Sequence, residues 1–153
     1  MNFTKALEIA CQVHKNQTDK AGKSYILHPI RVAMRLRTND EELMSIAVLH
    51  DVLEDSSSVT IDTLNEAGFT PRVTTALKYL THNTSITYEA YIADMLNNLD
   101  AMLVKREDLR DNSDITRLKG LTEKDFARMQ KYQKAFAQVE KQIKLAQACA
   151  AQL

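Results

Sequence analysis

The chain has 153 residues and a mass of 17.4 kDa, the size of one globular domain and too small for two well-filled cores. Its 20 Lys plus Arg balance 20 Asp plus Glu, with a pI near 6.9, so there is no net field to hold nucleic acid or an anionic membrane. Hydrophobic residues make up 44% and charged residues 26%, a folded rather than disordered composition, and no apolar run approaches the roughly 20 residues that span a bilayer. Three Gly and two Pro supply too few turns for a strand-rich fold, so the expected class is all-α.

The first helix is expected from Phe3 to about Asn16, with Ala6, Ala10, Val13 and Gln17 on one stripe and His14 beside it. Lys5 and Glu8 interrupt its apolar pattern, which is unlike a secretory signal and points to the cytoplasm. Cys11 and Cys149 lie outside any CxxC spacing, so both read as buried small hydrophobes. A polar loop around Gly22 leads to a helix opening at Pro29, with His28 at its entrance. Asn39 with Glu42 forms a capping-box pattern before a stripe of Leu43, Ile46, Ala47, His50 and Leu53 or Glu54. Thr60 caps a short helix that stops at Gly68, and Thr70-Pro71 opens another through Val73, Leu77 and Leu80. Tyr88, Tyr91, Ile92, Met95, Leu96 and Leu99 follow a helical period; the next helix, from Asp100, presents Ala101, Val104, Asp108 and Asn112. A last long helix, about 122–150, is capped by Thr122 with Asp125. Its stripe of Phe126, Met129, Tyr132, Phe136, Val139, Ile143 and Ala146 is expected to wrap its own chain in the first half, with the rest frayed or paired with a second copy as a homodimer.

Three of these stripes turn polar where they should be apolar: at His28, at His50-Asp51 with Glu54-Asp55, and at Asp108 with Asn112. Burying such groups unpaired costs several kcal/mol or more for a charge, so partners or a metal are required. Residues three and four apart share a helix face, which sets Glu54 beside His50 and Asp51, and Asn112 one turn beyond Asp108. Two imidazoles and two carboxylates form a mixed nitrogen and oxygen set that suits Zn, Mn, Fe or Ni more than Ca or Mg. Such a metal lowers the pKa of bound water, and a neighbouring carboxylate such as Glu54 can hold the proton, which is a hydrolase layout. A histidine on a core stripe is, taken alone, more often structural than a ligand.

The series Ala10, His14 and Gln17; Lys20, Gly22, Tyr25, His28 and Pro29; H-D-x-x-E-D over 50–55; Leu80-Thr81; and Val104, Lys105, Asp108 and Asn112 resembles the HD-domain phosphohydrolases. Within them it is similar to the RelA/SpoT-type domain that removes the 3′-pyrophosphate of ppGpp. The resemblance implies a single HD-type domain over 1–153, a compact helical bundle with its motifs within 14–117 and a long C-terminal helix. It implies that His28, His50, Asp51 and Asp108 ligate one divalent ion, manganese in this branch, with zinc, iron, nickel or cobalt as alternatives. It also implies that Glu54 and Asp55 activate or orient water, that Asn112 and Lys20 contact a small nucleotide, and that Tyr25 walls the pocket. His14 reads as support for this centre, His82 as a surface or helix-end residue, and Lys23 as equally a phosphate contact or a solvated loop lysine.

One position departs from the pattern. Alarmone hydrolases of this type generally carry Arg directly before the loop lysine, stacking on guanine, and here that position is Asp19. An anion makes no such stack, which leaves ppGpp against another phosphorylated nucleotide or phosphoester, such as NADPH or a nucleoside phosphate. The Asp-Lys-Ala-Gly loop with Asp108, Asp111, Asn112 and Asp114 looks closer to stand-alone bacterial HD proteins. Asp111 and Asp114 read either as supporting acids or as a solvated helix end, and Arg117 as a phosphate contact. A non-catalytic metal-binding interaction module is the remaining alternative. The length leaves no room for the synthetase and regulatory modules of long Rel proteins, so alarmone synthesis is not expected.

Overall fold

The computed structural model describes residues 3–118 and 120–151. They form α1 (Phe3–Val13), α2 (Leu27–Arg35), α3 (Glu41–Leu49), α4 (Val52–Asp55), α5 (Ile61–Glu66), α6 (Pro71–Leu80), α7 (Tyr88–Met95), α8 (Leu99–Asn112), a 3-10 turn (Ile115–Arg117) and α9 (Glu123–Ala150). The fold is all-α. Among the described residues the one extended pairing is an isolated antiparallel bridge between Thr18 and Ser24.

α3 is the axis of the bundle, packed against α1, α2, α6 and α8. Leu43, Ser45, Ile46, Ala47, Val48 and Leu49 are all buried on it, and a helix apolar on nearly every side belongs inside a core. It is therefore covered all round, beyond the single stripe read from sequence. Fully burying Ile46, Val48 and Leu49 contributes about 1.5–3 kcal/mol per side chain. Its start is set by Asp40, not Asn39: Asp40 Oδ1 accepts from the N–H groups of Glu42 at 3.0 Å and Leu43 at 3.1 Å. The charged oxygen satisfies two orphan donors and faces the positive end of the helix dipole.

The elements that deliver the site break where the sequence changes character. α2 begins at Leu27, so Pro29 sits within the first turn, where its missing N–H is still unneeded, and His28 becomes a buried helical residue. α3 ends at Leu49, and α4 begins at Val52 after a turn formed by His50 and Asp51. The two side chains therefore leave the core at the bend between two helices.

α9 packs mainly along α8 and also meets α7. Ala135, Val139 and Ile143 are its buried residues, whereas Phe126 is 58% exposed. The wrapping contact thus falls later in the helix than the stripe suggested. Cys11 and Cys149 are both exposed, correcting the reading of them as buried. Cys11 is one step round α1 from the buried Ala10, and Cys149 lies beyond Ile143, the last buried residue of α9.

Candidate active site

His28 from α2, His50 and Asp51 from the α3–α4 bend and Asp108 from α8 converge below one cavity. His28, His50 and Asp51 each place a donor atom within 4.8 Å of the other two. Asp108 Oδ1 lies 3.1 Å from His28 Nε2 and 3.7 Å from His50 Nε2. His50 Nδ1 is anchored 2.7 Å from the Ala47 carbonyl, which fixes it as a donor nitrogen and turns Nε2 toward the cluster. Nε2 is buried and has no hydrogen-bond partner, although Asp51 Oδ2 is 3.0 Å away. An imidazole nitrogen turned toward two carboxylates, with a proton that a cation can displace, is a donor arrangement that suits a divalent ion.

The electrostatics agree. Burial opposes charge at His50, yet Asp51 and Asp108 push its pKa well above the ordinary histidine value. Burial likewise opposes charge at His28, and hydrogen bonds with Asp108 and Asp111 raise it. Burial would raise Asp51, but His50 holds it well below the usual carboxylate range. Asp108 is held low against the same burial by Lys105, whose Nζ is 2.8 Å from Oδ2, and by both histidines. A divalent cation would replace the imidazole protons as counter-charge to these carboxylates.

The two acids of the H-D-x-x-E-D run separate. Glu54 lines the cavity, and its Oε1 accepts the His82 backbone N–H at 2.6 Å. Burial, with the Asp51 charge adding, raises its pKa, which makes it a better proton holder. Burial also raises Asp55, but that side chain lies 3.7 Å from His14 Nδ1 and does not line the cavity. His14 is fully buried and bonded to Gln17 Oε1 at 2.6 Å, so it supports this corner.

The cavity measures about 540 Å³, within the range of small-ligand pockets. Lys20, Tyr25 and Asn112, all read from sequence, line it, as does His82. Tyr25 donates to Asp51 Oδ2 at 2.5 Å, and Asn112 Nδ2 donates to Asp108 Oδ1 at 2.5 Å. Lys23 is exposed and lies outside the lining. α7 and α9 add Tyr88, Tyr91, Arg128, Lys131 and Tyr132, none of which the motifs indicate. The available signal is the Arg128–Tyr132 spacing, which puts both on one helix face, but Tyr132 fits the apolar stripe equally well. The floor is thus acidic, and the walls carry cations and aromatic rings.

Asp19 and Asp111 resolve as structural acids. Asp19 Oδ1 accepts the N–H groups of Ala21 and Lys23, both at 2.9 Å, closing a loop in which Gly22 takes φ +79°, a conformation that favours glycine. Asp111 is 1% exposed and meets His28, Arg31 and Arg117, rather than ending a solvated helix. Asp114 caps the 3-10 turn.

A guanosine-3′,5′-bis(diphosphate) 3′-pyrophosphohydrolase of Aquifex aeolicus (strain VF5) is 34% identical over 108 residues, covering 69% of this chain and 15% of that protein. A protein of the same name from Borreliella burgdorferi is 46% identical over 55 residues, 35% of this chain and 8% of its own. The solved structure of a metazoan ortholog of SpoT superposes with a TM-score of 0.73 at 22% identity, covering 93% of this chain and 91% of the other. The chain carries a RelA/SpoT-like HD domain. No family model matches it. The chain spans 8% to 15% of the length of the curated relatives it matches first, so the likeness is to one segment of those proteins.

Proposed function

We propose that this RelA/SpoT-like HD domain is a metal-dependent phosphohydrolase that removes the 3′-pyrophosphate of ppGpp. The observation that carries the reading is the convergence of His28, His50, Asp51 and Asp108 beneath a cavity whose wall holds Glu54. The relatives supply the substrate: one is named a ppGpp 3′-pyrophosphohydrolase, and the metazoan ortholog of SpoT with the matching structure is described as hydrolysing ppGpp.

In this reading those four residues hold one divalent ion. Manganese is the leading choice, and the mixed donors also admit zinc, iron, nickel or cobalt. The ion, when bound, lowers the pKa of a water molecule and supplies a nucleophile at neutral pH. Glu54, fixed by the His82 N–H, accepts the proton of the attacking water. Water oxygen bonds to the phosphorus on the ribose 3′ oxygen, and the 3′ O–P bond breaks. The 3′ oxygen takes a proton, leaving GDP and pyrophosphate. Asp55 sits outside the cavity and acts by orienting the His14 corner, so the proton step belongs to Glu54. Lys20, Lys131 and Arg128 meet phosphate oxygens as charges, and Asn112 and Tyr25 hold the carboxylates of Asp108 and Asp51 while bordering the substrate.

Asp19 favours a second reading on the same centre, another phosphorylated nucleotide, because its carboxylate is spent on its own loop and on Arg117. A panel of ppGpp, pppGpp, NADPH and ordinary nucleotides, assayed with Mn2+, separates the two. Cleavage of ppGpp is expected to be fastest, and His50→Ala and Asp51→Ala to abolish turnover. Preferential cleavage of another nucleotide would select the second reading, and full activity in either variant would sink both.

A further inference from the structure

Asp111 is a buried acid of α8 that stands behind His28. Its side chain is 0% exposed, and a lone carboxylate buried in that way is strongly disfavoured. Two arginines offset this directly. Arg31 donates Nε to Oδ1 at 2.7 Å and Nη2 to Oδ2 at 2.9 Å, a bidentate fork. Arg117 Nη1 donates to Oδ2 at 2.5 Å and to the Asp111 carbonyl at 2.9 Å. A third guanidinium, that of Arg35, stands 3.6 Å from Oδ1.

The remaining partner of the carboxylate is His28 Nδ1, 2.8 Å from Oδ2. An ionised carboxylate only accepts, so Nδ1 of His28 carries the hydrogen and Nε2 is left to the cluster. Nε2 faces Asp108 Oδ1 at 3.1 Å and Asp51 Oδ2 at 3.8 Å. His50 is set the same way by a plain carbonyl, Ala47 O. The two ring anchors therefore differ: one is neutral backbone, the other a charged side chain held by arginines from α2 and from the 3-10 turn.

We infer that Asp111 is a positioning residue for the metal centre: it locks the tautomer and ring orientation of His28 and strengthens its Nε2 as a donor. An acceptor on the far nitrogen of a ligating imidazole raises its basicity, and removing such a partner typically weakens metal affinity about 10- to 100-fold. Arg117 extends the arrangement outward, since its Nη2 also meets Asp19 Oδ2 at 3.2 Å. The loop that carries Lys20 is thereby tied to the carboxylate behind His28. The inference rests on the metal-dependent reading proposed above.

The test is Mn2+ affinity, measured by competition titration on the full chain for wild type and Asp111→Asn, with turnover followed as Mn2+ is raised. The amide keeps the shape but loses the charge. Affinity is expected to fall about 10- to 100-fold, with kcat largely restored at saturating Mn2+ and KM for the nucleotide little changed. Unchanged affinity beside a wild type that binds Mn2+ would overturn the positioning role and leave the metal reading standing. A wild type that binds no Mn2+ would overturn both. Should Asp111→Asn not fold, nitrogen-15 NMR of the wild type loaded with diamagnetic Zn2+ decides instead: His28 is expected to show a protonated Nδ1 and a ligated Nε2. A bare Nδ1 would refute the assignment.

Discussion

The carboxylate of Asp19 and the guanidinium of Arg117 meet at 3.2 Å across 98 residues of sequence. The other oxygen of Asp19 is bound to two N–H groups of its own loop. Burial would raise its pKa, but the Lys23 N–H, Arg117 and the Ala21 N–H together hold it below the ordinary value. The acid that stands where alarmone hydrolases generally carry Arg is therefore a loop fastener, and restoring Arg there removes the fastener.

Asp19→Arg is accordingly expected to lose function rather than gain it. Two N–H groups lose their acceptor and Arg117 faces a like charge, at a cost of about 2 kcal/mol. Thermal unfolding should show a lowered Tm, and nucleotide KM should rise as the Lys20 loop loosens. A variant with unchanged Tm and faster ppGpp turnover would contradict this role.

Glu54→Gln separates proton handling from metal binding. The amide cannot accept the water proton, so kcat is expected to fall about 100- to 10,000-fold, while Mn2+ affinity stays near wild type because Glu54 is not among the four donors. Asp55→Asn, outside the cavity, should cost distinctly less. Rapid-quench turnover together with a metal titration of each variant checks both halves.

The α9 wall should govern binding rather than chemistry. Lys131 Nζ stands 4.4 Å from the centre of the Tyr88 ring, and Arg128, Lys131 and Tyr132 all line the cavity. Removing the Lys131 charge takes away an interaction made equally before and during reaction, which raises KM and spares kcat. Steady-state kinetics of Lys131→Ala should show KM up about tenfold, the size of one charge-assisted contact. A loss confined to kcat would place this residue at the reacting atoms instead.

Stability against acid can be traced to the start of α3. The Arg72 hydrogen bond holds Asp40 below its ordinary 3.8, with burial opposing it and the Leu43 and Glu42 N–H groups assisting. A carboxylate depressed in the folded state contributes stability that is present above the unfolded value and lost as pH falls below it. Wild type should thus lose Tm on acidification below about 3.8 more steeply than Asp40→Asn, which retains an N-cap acceptor. Parallel slopes from about pH 5 to about pH 3 would show that Asp40 contributes nothing to that loss.

Much of the proposed metal centre is legible in the sequence because it breaks a pattern. His50 and Asp108 interrupt stripes that are otherwise apolar, and helical spacing is enough to place Glu54 beside Asp51. The separation of Glu54 from Asp55 is not legible: neighbours in sequence on α4, they leave that helix in different directions, one toward the cavity and one toward His14. Asp111 and Arg117 are equally opaque, because their meaning lies in contacts with Arg31 and Asp19 made from 80 and 98 residues away. Asp40 displaces Asn39 as the cap by a single residue, a shift that local pattern does not resolve. The α9 wall is hidden differently, as Tyr132 fits an apolar stripe as well as it fits a pocket.

The most direct test of metal-dependent ppGpp hydrolysis is a titration of the metal-stripped protein with Mn2+, following GDP and pyrophosphate release from ppGpp. Turnover is predicted to be absent under chelation, to rise to saturation at one ion per chain, and to be lost in His50→Ala. Turnover that persists without a divalent ion, or a chain that binds its ion and leaves ppGpp intact, would contradict it.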